Sequence, residues 1–195
     1  MINTSLILAS ASPRRIEMFQ KHGFDPIIMP SDIHENLPEE IDPEIAVMFL
    51  ALKKGLETEF RILEENKIHD SYIIAADTIV YKDKILGKPQ NEEDAFQTLT
   101  MLKNTSHQVI TGVCIIQAGM NHKLVFYETT HVEMSDYSQE EIREYINTGE
   151  PMDKAGAYAI QGKWGIHVAS YHGDYDNIVG FPWSRFEKEF LNFQL

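Results

Sequence analysis

The chain has 195 residues, 43% of them apolar and 24% charged, with 30 acidic against 17 basic side chains and a net charge of −13 at neutral pH. That length suggests one domain, large enough to bury a core without staples. The acidic balance argues against a general binder of nucleic-acid polymers, and no run approaches the ~20 apolar residues of a membrane span. One cysteine, Cys114, excludes an internal disulfide and fits a reducing compartment. The N-terminal apolar run has no basic leader and is too short for a signal peptide, so a cytoplasmic protein is expected.

The first element is a short strand over Leu6-Ile7-Leu8-Ala9. In Ser10-Ala11-Ser12-Pro13, Ser12 and Pro13 read as the N-cap and first residue of a helix. Arg14 and Arg15 then fall in the first helical turn, where backbone dipoles disfavour a cation by about 0.3–1 kcal/mol. Two scarce cations at that place suggest an anionic ligand. Asp25–Pro30 reads as a second short strand, and the acidic Ser31–Asp42, carrying Glu35, as a loop. Asp42-Pro43 repeats the cap-plus-proline start. Ile45, Met48, Phe49, Leu52, Leu56, Phe60 and Leu63 recur at helical spacing, which predicts one amphipathic helix from Pro43 to Asn66.

Ser71–Pro89 holds two apolar runs, read as strands. Asp77 and Thr78 interrupt the first. A carboxylate there is costly unless paired, metal-bound or at a strand end, so Asp77 reads either as a structural turn-capping group or as a metal ligand or general base. Lys88 lies in Leu86-Gly87-Lys88-Pro89, which is not a Walker A loop because the upstream glycine is missing and Pro89 replaces Ser or Thr. It reads as a solvated loop lysine or a phosphate contact. A helix from Asn91 to Lys103, a β pair over His107–Gln117 and Lys123–Met134, and a helix opened by a Ser138/Glu141 capping box and stopped by Gly149 follow.

Glu150–Pro182 is glycine-rich and aromatic, with short strands expected at Ala157–Ile160 and Gly165–Tyr171. Within it Lys154 offers a cation to a phosphate and Gln161 an amide to a base edge or oxyanion, against the reading of a purely structural loop. A last helix is expected over Trp183–Phe193. Phe181, Trp183, Phe186, Phe190 and Phe193 read as core, with a homodimer surface as the alternative. Strands alternating with helices, then a direct strand pair, predict a mixed α/β sheet flanked by helices. The histidines lack zinc spacing and no nucleophile elbow is present. Cations Arg14, Arg15, Lys54, Lys88 and Lys154, acids Glu35 and Asp77, and a helix N-terminus are the parts for binding an anion with a divalent metal.

ASASPRR, the glutamate of DIHENLP, LALKKG, AADTIV, LGKP, EPMDKAGAYAIQG and GDYDNIVGFP occur in this order. Together they closely resemble the Maf family of nucleoside triphosphate pyrophosphatases, from Leu6 to Phe193. The resemblance implies an elongated α/β fold with a cleft between two lobes, similar to inosine triphosphate pyrophosphatases, as a single domain over 1–195. It implies hydrolysis of a nucleoside triphosphate to the monophosphate and pyrophosphate with a divalent metal, Mg²⁺ or Mn²⁺. Carried over residue by residue, it makes Asp77 the proton acceptor and Lys54 and Lys88 the groups that stabilise the leaving pyrophosphate. Glu35 and Asp77 become the metal ligands, and Ser10, Ser12, Arg14, Arg15 and Lys154 substrate-binding residues.

Arg14, Thr78 and Gln161 stand at the specificity positions of the branch that prefers dTTP and UTP, and all three match it. The sister branch acting on 7-methyl-GTP differs at each. Ala76, in place of the more usual Gly, and Phe181, in place of Leu, are departures that touch no reacting group. Two other readings stand beside this one: a nucleotide-binding regulator of cell division or septum formation with little catalysis, and a pyrophosphatase for 7-methyl-GTP or other modified nucleotides.

Overall fold

The computed structural model describes residues 5–38, 40–65 and 71–195. In chain order the elements are β1 (Ser5–Leu8), α1 (Pro13–Lys21), β2 (Ile27–Ile28), α2 (Pro43–Glu65), β3 (Ser71–Lys82), β4 (Lys84–Leu86), α3 (Glu92–Leu102), β5 (Ser106–Gln117), β6 (Lys123–Met134), α4 (Gln139–Ile146), β7 (Val168–His172), α5 (Tyr175–Val179) and α6 (Trp183–Phe193). Among the described residues the strands form a seven-stranded mixed sheet in the order β2-β1-β3-β5-β6-β7, with β4 paired to β3. β1 runs parallel to β2 and β3, whereas β4 on β3 and β7 on β6 are antiparallel. The expected mixed α/β architecture is present. The predicted end of α2 at Asn66 lies outside the described residues.

The chain divides into two compact units. The first comprises Met1–Asp77, Thr111–Glu128 and Gly180–Leu195, the second Thr78–Ile110 and Thr129–Val179. In the first unit, two glycines let α2 lie close against the sheet. A Cβ on Gly112 would stand 2.3 Å from the Val47 carbonyl oxygen, and one on Gly55 would stand 2.9 Å from Ile116 Cδ1 and 3.6 Å from the Ala75 Cβ. The local helix penalty of Gly55 is thus offset by close packing. Ile7, Ala51, Ile62, Ile73, Ala75, Cys114 and Ile116 fill the space between. Burial pushes the Cys114 thiol up to about 12, which leaves it an inert core group. Phe19 of α1 packs its ring 5.1 Å from Phe181 and 5.2 Å from Trp183. Phe181, Trp183, Phe186, Phe190 and Phe193 are all buried, so the C-terminal aromatics are core.

In the second unit the Ser138/Glu141 capping box forms as expected and Asn91 caps α3. The strand expected at Ala157–Ile160 is absent. Gly156 and Ala157 adopt successive left-handed conformations (φ 68° and 61°), which an extended pleat cannot contain. The segment forms 3₁₀ turns instead, and β7 begins only at Val168, after another such turn over Lys163–His167. Small residues in Ala-Gly-Ala-Tyr-Ala resemble a strand pattern, but here they allow close approach. Gly156 donates its N–H to the Gly87 carbonyl at 3.1 Å, and a Cβ on it would stand 2.7 Å from Val80.

His107, buried in this unit, meets the Tyr158 hydroxyl at 2.7 Å through Nε2. Burial lowers its pKa to about 4, below the usual value near 6.5. As pH falls the unfolded chain therefore takes up this proton first. The stability linked to neutral His107 is complete above about 6.5 and is lost towards 4, by up to about 3 kcal/mol. Denaturant unfolding at stepped pH should show that loss, and His107→Gln should flatten it.

Candidate active site

β1 ends at Leu8, and the turn after it brings Ser10 and Ser12 to the start of α1. Ser12 does not cap the helix through its side chain, contrary to expectation. Its backbone N–H donates to Ser10 Oγ at 3.2 Å, so the sequence Ser-Ala-Ser closes a local turn instead. Arg15 also departs from the expected display toward a ligand. Its Nε donates to the Gly180 carbonyl at 2.9 Å, and its Nη1 donates to the Ala76 carbonyl at 2.8 Å and to Ser10 Oγ at 3.3 Å. Burial lowers its pKa to about 10, while Asp77 and, more weakly, Glu35 act in the opposite direction. The guanidinium fork ties three chain segments together, which offsets the dipole penalty of its position. Arg14 is half-buried and close enough for its charge to act on Arg15.

Lys54 holds the centre of the unit. Its Nζ donates to Asp77 Oδ1 at 2.5 Å and pairs with Glu35 Oε1 at 2.6 Å. Three elements converge there: α2 supplies Lys54, β3 supplies Asp77 and the 31–38 loop supplies Glu35. The close seat of Gly55 on Ala75 places the neighbouring Lys54 over the strand that carries Asp77. Lys53 faces the loop and donates to the His34 carbonyl at 2.6 Å, which fixes the residue before Glu35. Arg15 does the same for the residue before Asp77 through Ala76. Asp77 and Lys54 are well shielded, with side chains 11% and 14% exposed, whereas Glu35 is 57% exposed.

The two carboxylates share the Lys54 ammonium and also feel the Arg15 guanidinium nearby. Among the described residues no group of three or more His, Cys, Asp or Glu side chains is placed to hold a metal. Asp77 and Glu35, both held by Lys54, are the two carboxylates that could hold a metal, with Glu35 the more exposed. Carboxylate oxygens are donors for hard divalent cations.

Thr78, Lys88, Lys154 and Gln161 belong to the second unit. Thr78 is half-buried on β3, while Lys88 and Gln161 are exposed. Lys154 pairs with Asp153. The Gly156–Gly87 hydrogen bond joins the segment beside Lys154 to the turn beside Lys88. Sequence reasoning missed the carbonyls of Ala76, Gly180 and His34 that anchor the basic residues, because every residue has a carbonyl and no side-chain pattern marks the ones used. Replacing Arg15 with Ala should lower unfolding stability by about 2–3 kcal/mol, since it strands buried acceptors. Arg14→Ala should stay within about 0.5 kcal/mol of the parent, and chemical denaturation compares the two.

Among the described residues no helix is long and apolar enough to cross a membrane. A protein named dTTP/UTP pyrophosphatase from Agathobacter rectalis is 43% identical over 197 residues, 95% of this chain and 96% of that one. One of the same name from Caldicellulosiruptor saccharolyticus is 47% identical over 91% of this chain and 88% of its own. A third, from Geobacillus sp. strain WCH70, is 45% identical over 94% and 95%. The solved structure of the Staphylococcus aureus Ham1 protein covers 68% of this chain and 73% of its own at 14% identity and a TM-score of 0.39. The model of the Maf-like protein family matches residues 5–193, and with relatives of this identity and coverage the chain belongs to that family.

Proposed function

We propose that this chain hydrolyses nucleoside triphosphates, dTTP and UTP in preference, to the monophosphate and pyrophosphate, as a single catalytic domain over 1–195 acting in the cytoplasm. The observation that carries the reading is the Lys54 ammonium held between the Asp77 and Glu35 carboxylates at 2.5 and 2.6 Å. The shared name of the three relatives supports the substrate, and the buried lone thiol supports the reducing compartment.

In this reading Asp77 accepts a proton from water as the water oxygen bonds to the α-phosphorus. The bridging bond between that phosphorus and the pyrophosphate oxygen breaks, and pyrophosphate leaves with the electron pair. Lys54 fixes the Asp77 carboxylate so that one oxygen faces the water, and it lends positive charge to the phosphates. Glu35 and Asp77 would hold Mg²⁺ or Mn²⁺, which when bound neutralises phosphate charge. Arg14 binds phosphate oxygens, and Arg15 supports the site through Ser10 and the Ala76 carbonyl. Lys88 and Lys154 act on the polyphosphate, for which Lys154 exchanges its Asp153 partner. Thr78 and Gln161 read the pyrimidine edge by hydrogen bonding.

Purified protein with each triphosphate and Mg²⁺, with pyrophosphate and orthophosphate assayed separately, tests the reading. Pyrophosphate release fastest with dTTP and UTP is expected. Orthophosphate release, preference for 7-methyl-GTP, or binding without turnover would each overturn a named part of it. Asp77→Asn should lower turnover by about 10²–10⁴-fold with the melting curve and nucleotide binding largely unchanged.

A further inference from the structure

Gln161 stands on a turn that two side chains of the same unit grip at both ends. The turn closes where Gly162 donates its N–H to the Ala159 carbonyl at 3.1 Å, with Ile160 and Gln161 as its central residues. At one end, a Cβ on Gly162 would fall nearly on Glu150 Oε1 and 2.7 Å from Glu150 Cδ. Only a residue without a Cβ lets that carboxylate lie against the backbone. At the other end, the Tyr145 hydroxyl accepts a hydrogen bond from the Ala159 backbone. The same hydroxyl donates to Glu150 Oε1 at 3.1 Å. One hydroxyl and one carboxylate thus link both ends of the turn to the end of α4.

Both groups are themselves held in place. The Tyr145 ring is buried and stacks on Trp164 at 4.6 Å, with 19° between the planes. Burial, and then the Glu150 charge, keep the Tyr145 pKa above the usual phenol range, so the hydroxyl stays a neutral donor. The Glu150 N–H donates to Thr148 Oγ1 at 3.2 Å. Beyond the turn, Gly165 donates to the Gly162 carbonyl at 3.1 Å. Of the four residues from Ala159 to Gly162, Gln161 is the exposed one. A buried phenol and a carboxylate therefore fix a backbone whose outward group is a single amide.

On the reading of Gln161 as a base contact, we propose that Tyr145 and Glu150 are positioning residues for base selection. They hold the turn so that the Gln161 amide meets a pyrimidine edge and misses a purine one. A side-chain amide carries both a donor and an acceptor on a flexible stem. It selects between bases only where its backbone is fixed, because hydrogen bonds weaken steeply away from good geometry. The hydrogen-bonding edge of a purine stands farther from the sugar than that of a pyrimidine. A fixed amide suits one of the two, and a loosened amide admits both.

The ratio of kcat/KM for UTP to that for ATP tests the proposal, and the ratio of their dissociation constants serves should turnover be absent. Tyr145→Phe keeps the ring on Trp164 and removes only the hydroxyl. It should lower the UTP preference by about 3–10-fold, through a higher KM for UTP and with kcat within about two-fold of the parent. Glu150→Ala should act likewise. Glu150→Gln should restore most of the preference, because an amide oxygen still accepts from Tyr145. In a Gln161→Ala chain, Tyr145→Phe should change the ratio no further. Gln161→Ala with the parent preference overturns the base contact itself, and the positioning role with it. Preference lost in Gln161→Ala but kept in Tyr145→Phe and Glu150→Ala overturns the positioning role alone. An equal fall with both nucleotides, or losses that multiply in the double variant, overturns it as well. Tyr145→Phe decides the matter if Glu150→Ala fails to fold.

Discussion

A single ammonium shared by two carboxylates organises the first unit. Asp77 follows four fully buried strand residues, Ile73 to Ala76, and a carboxylate there is tolerated only with a close partner. Lys54 is that partner, and it also holds Glu35. The requirement propagates outward. Lys54 reaches the strand because Gly55 and Gly112 let α2 approach the sheet closely. Glu35 is held because Lys53 fixes the adjacent His34 carbonyl. Asp77 is held in register because Arg15 takes the Ala76 carbonyl.

The two arginines at the start of α1 share a position but not a task. The fork of Arg15 points inward, and its carbonyl and hydroxyl acceptors contribute more than the dipole penalty removes. Arg14 keeps its charge at the same helix end, where backbone N–H groups also favour an anion. One guanidinium thus stiffens the turn that carries the other. This division follows from geometry, because consecutive residues on a helix point about 100° apart.

Much of this was legible in the sequence, for identifiable reasons. The period-3.6 pattern of α2, the Pro13 and Pro43 starts, the Ser138/Glu141 box and the aromatic C-terminus are local signals that locate their elements, but α2 buries Ala46, Val47, Leu50, Ala51 and Ile62 and leaves most of the stripe from Ile45 to Leu63 exposed. The placement of Asp77 in an apolar run marked it as a group needing a partner, and the ordered motifs singled out Lys54 for that neighbourhood. Failures came where tertiary packing overrode local preference. Ser12 takes the N-cap position before Pro13, but its side chain makes no capping bond and its backbone N–H donates to Ser10 Oγ. Ala157–Ile160 carried strand-like composition, yet close packing of Gly156 on Val80 goes with a left-handed backbone there. The carbonyl anchors of Arg15 and Lys53 depend on long-range chain crossings that no residue type announces.

The central claim is that Asp77 and Lys54 act as one unit in turnover. The most direct test compares kcat/KM for UTP in the parent, Asp77→Asn, Lys54→Met and the double variant. Groups that act as a unit give strongly non-additive losses, so the double variant should be little worse than the more damaged single one. Losses that multiply, or a Lys54→Met variant with near-parent turnover, would contradict the account.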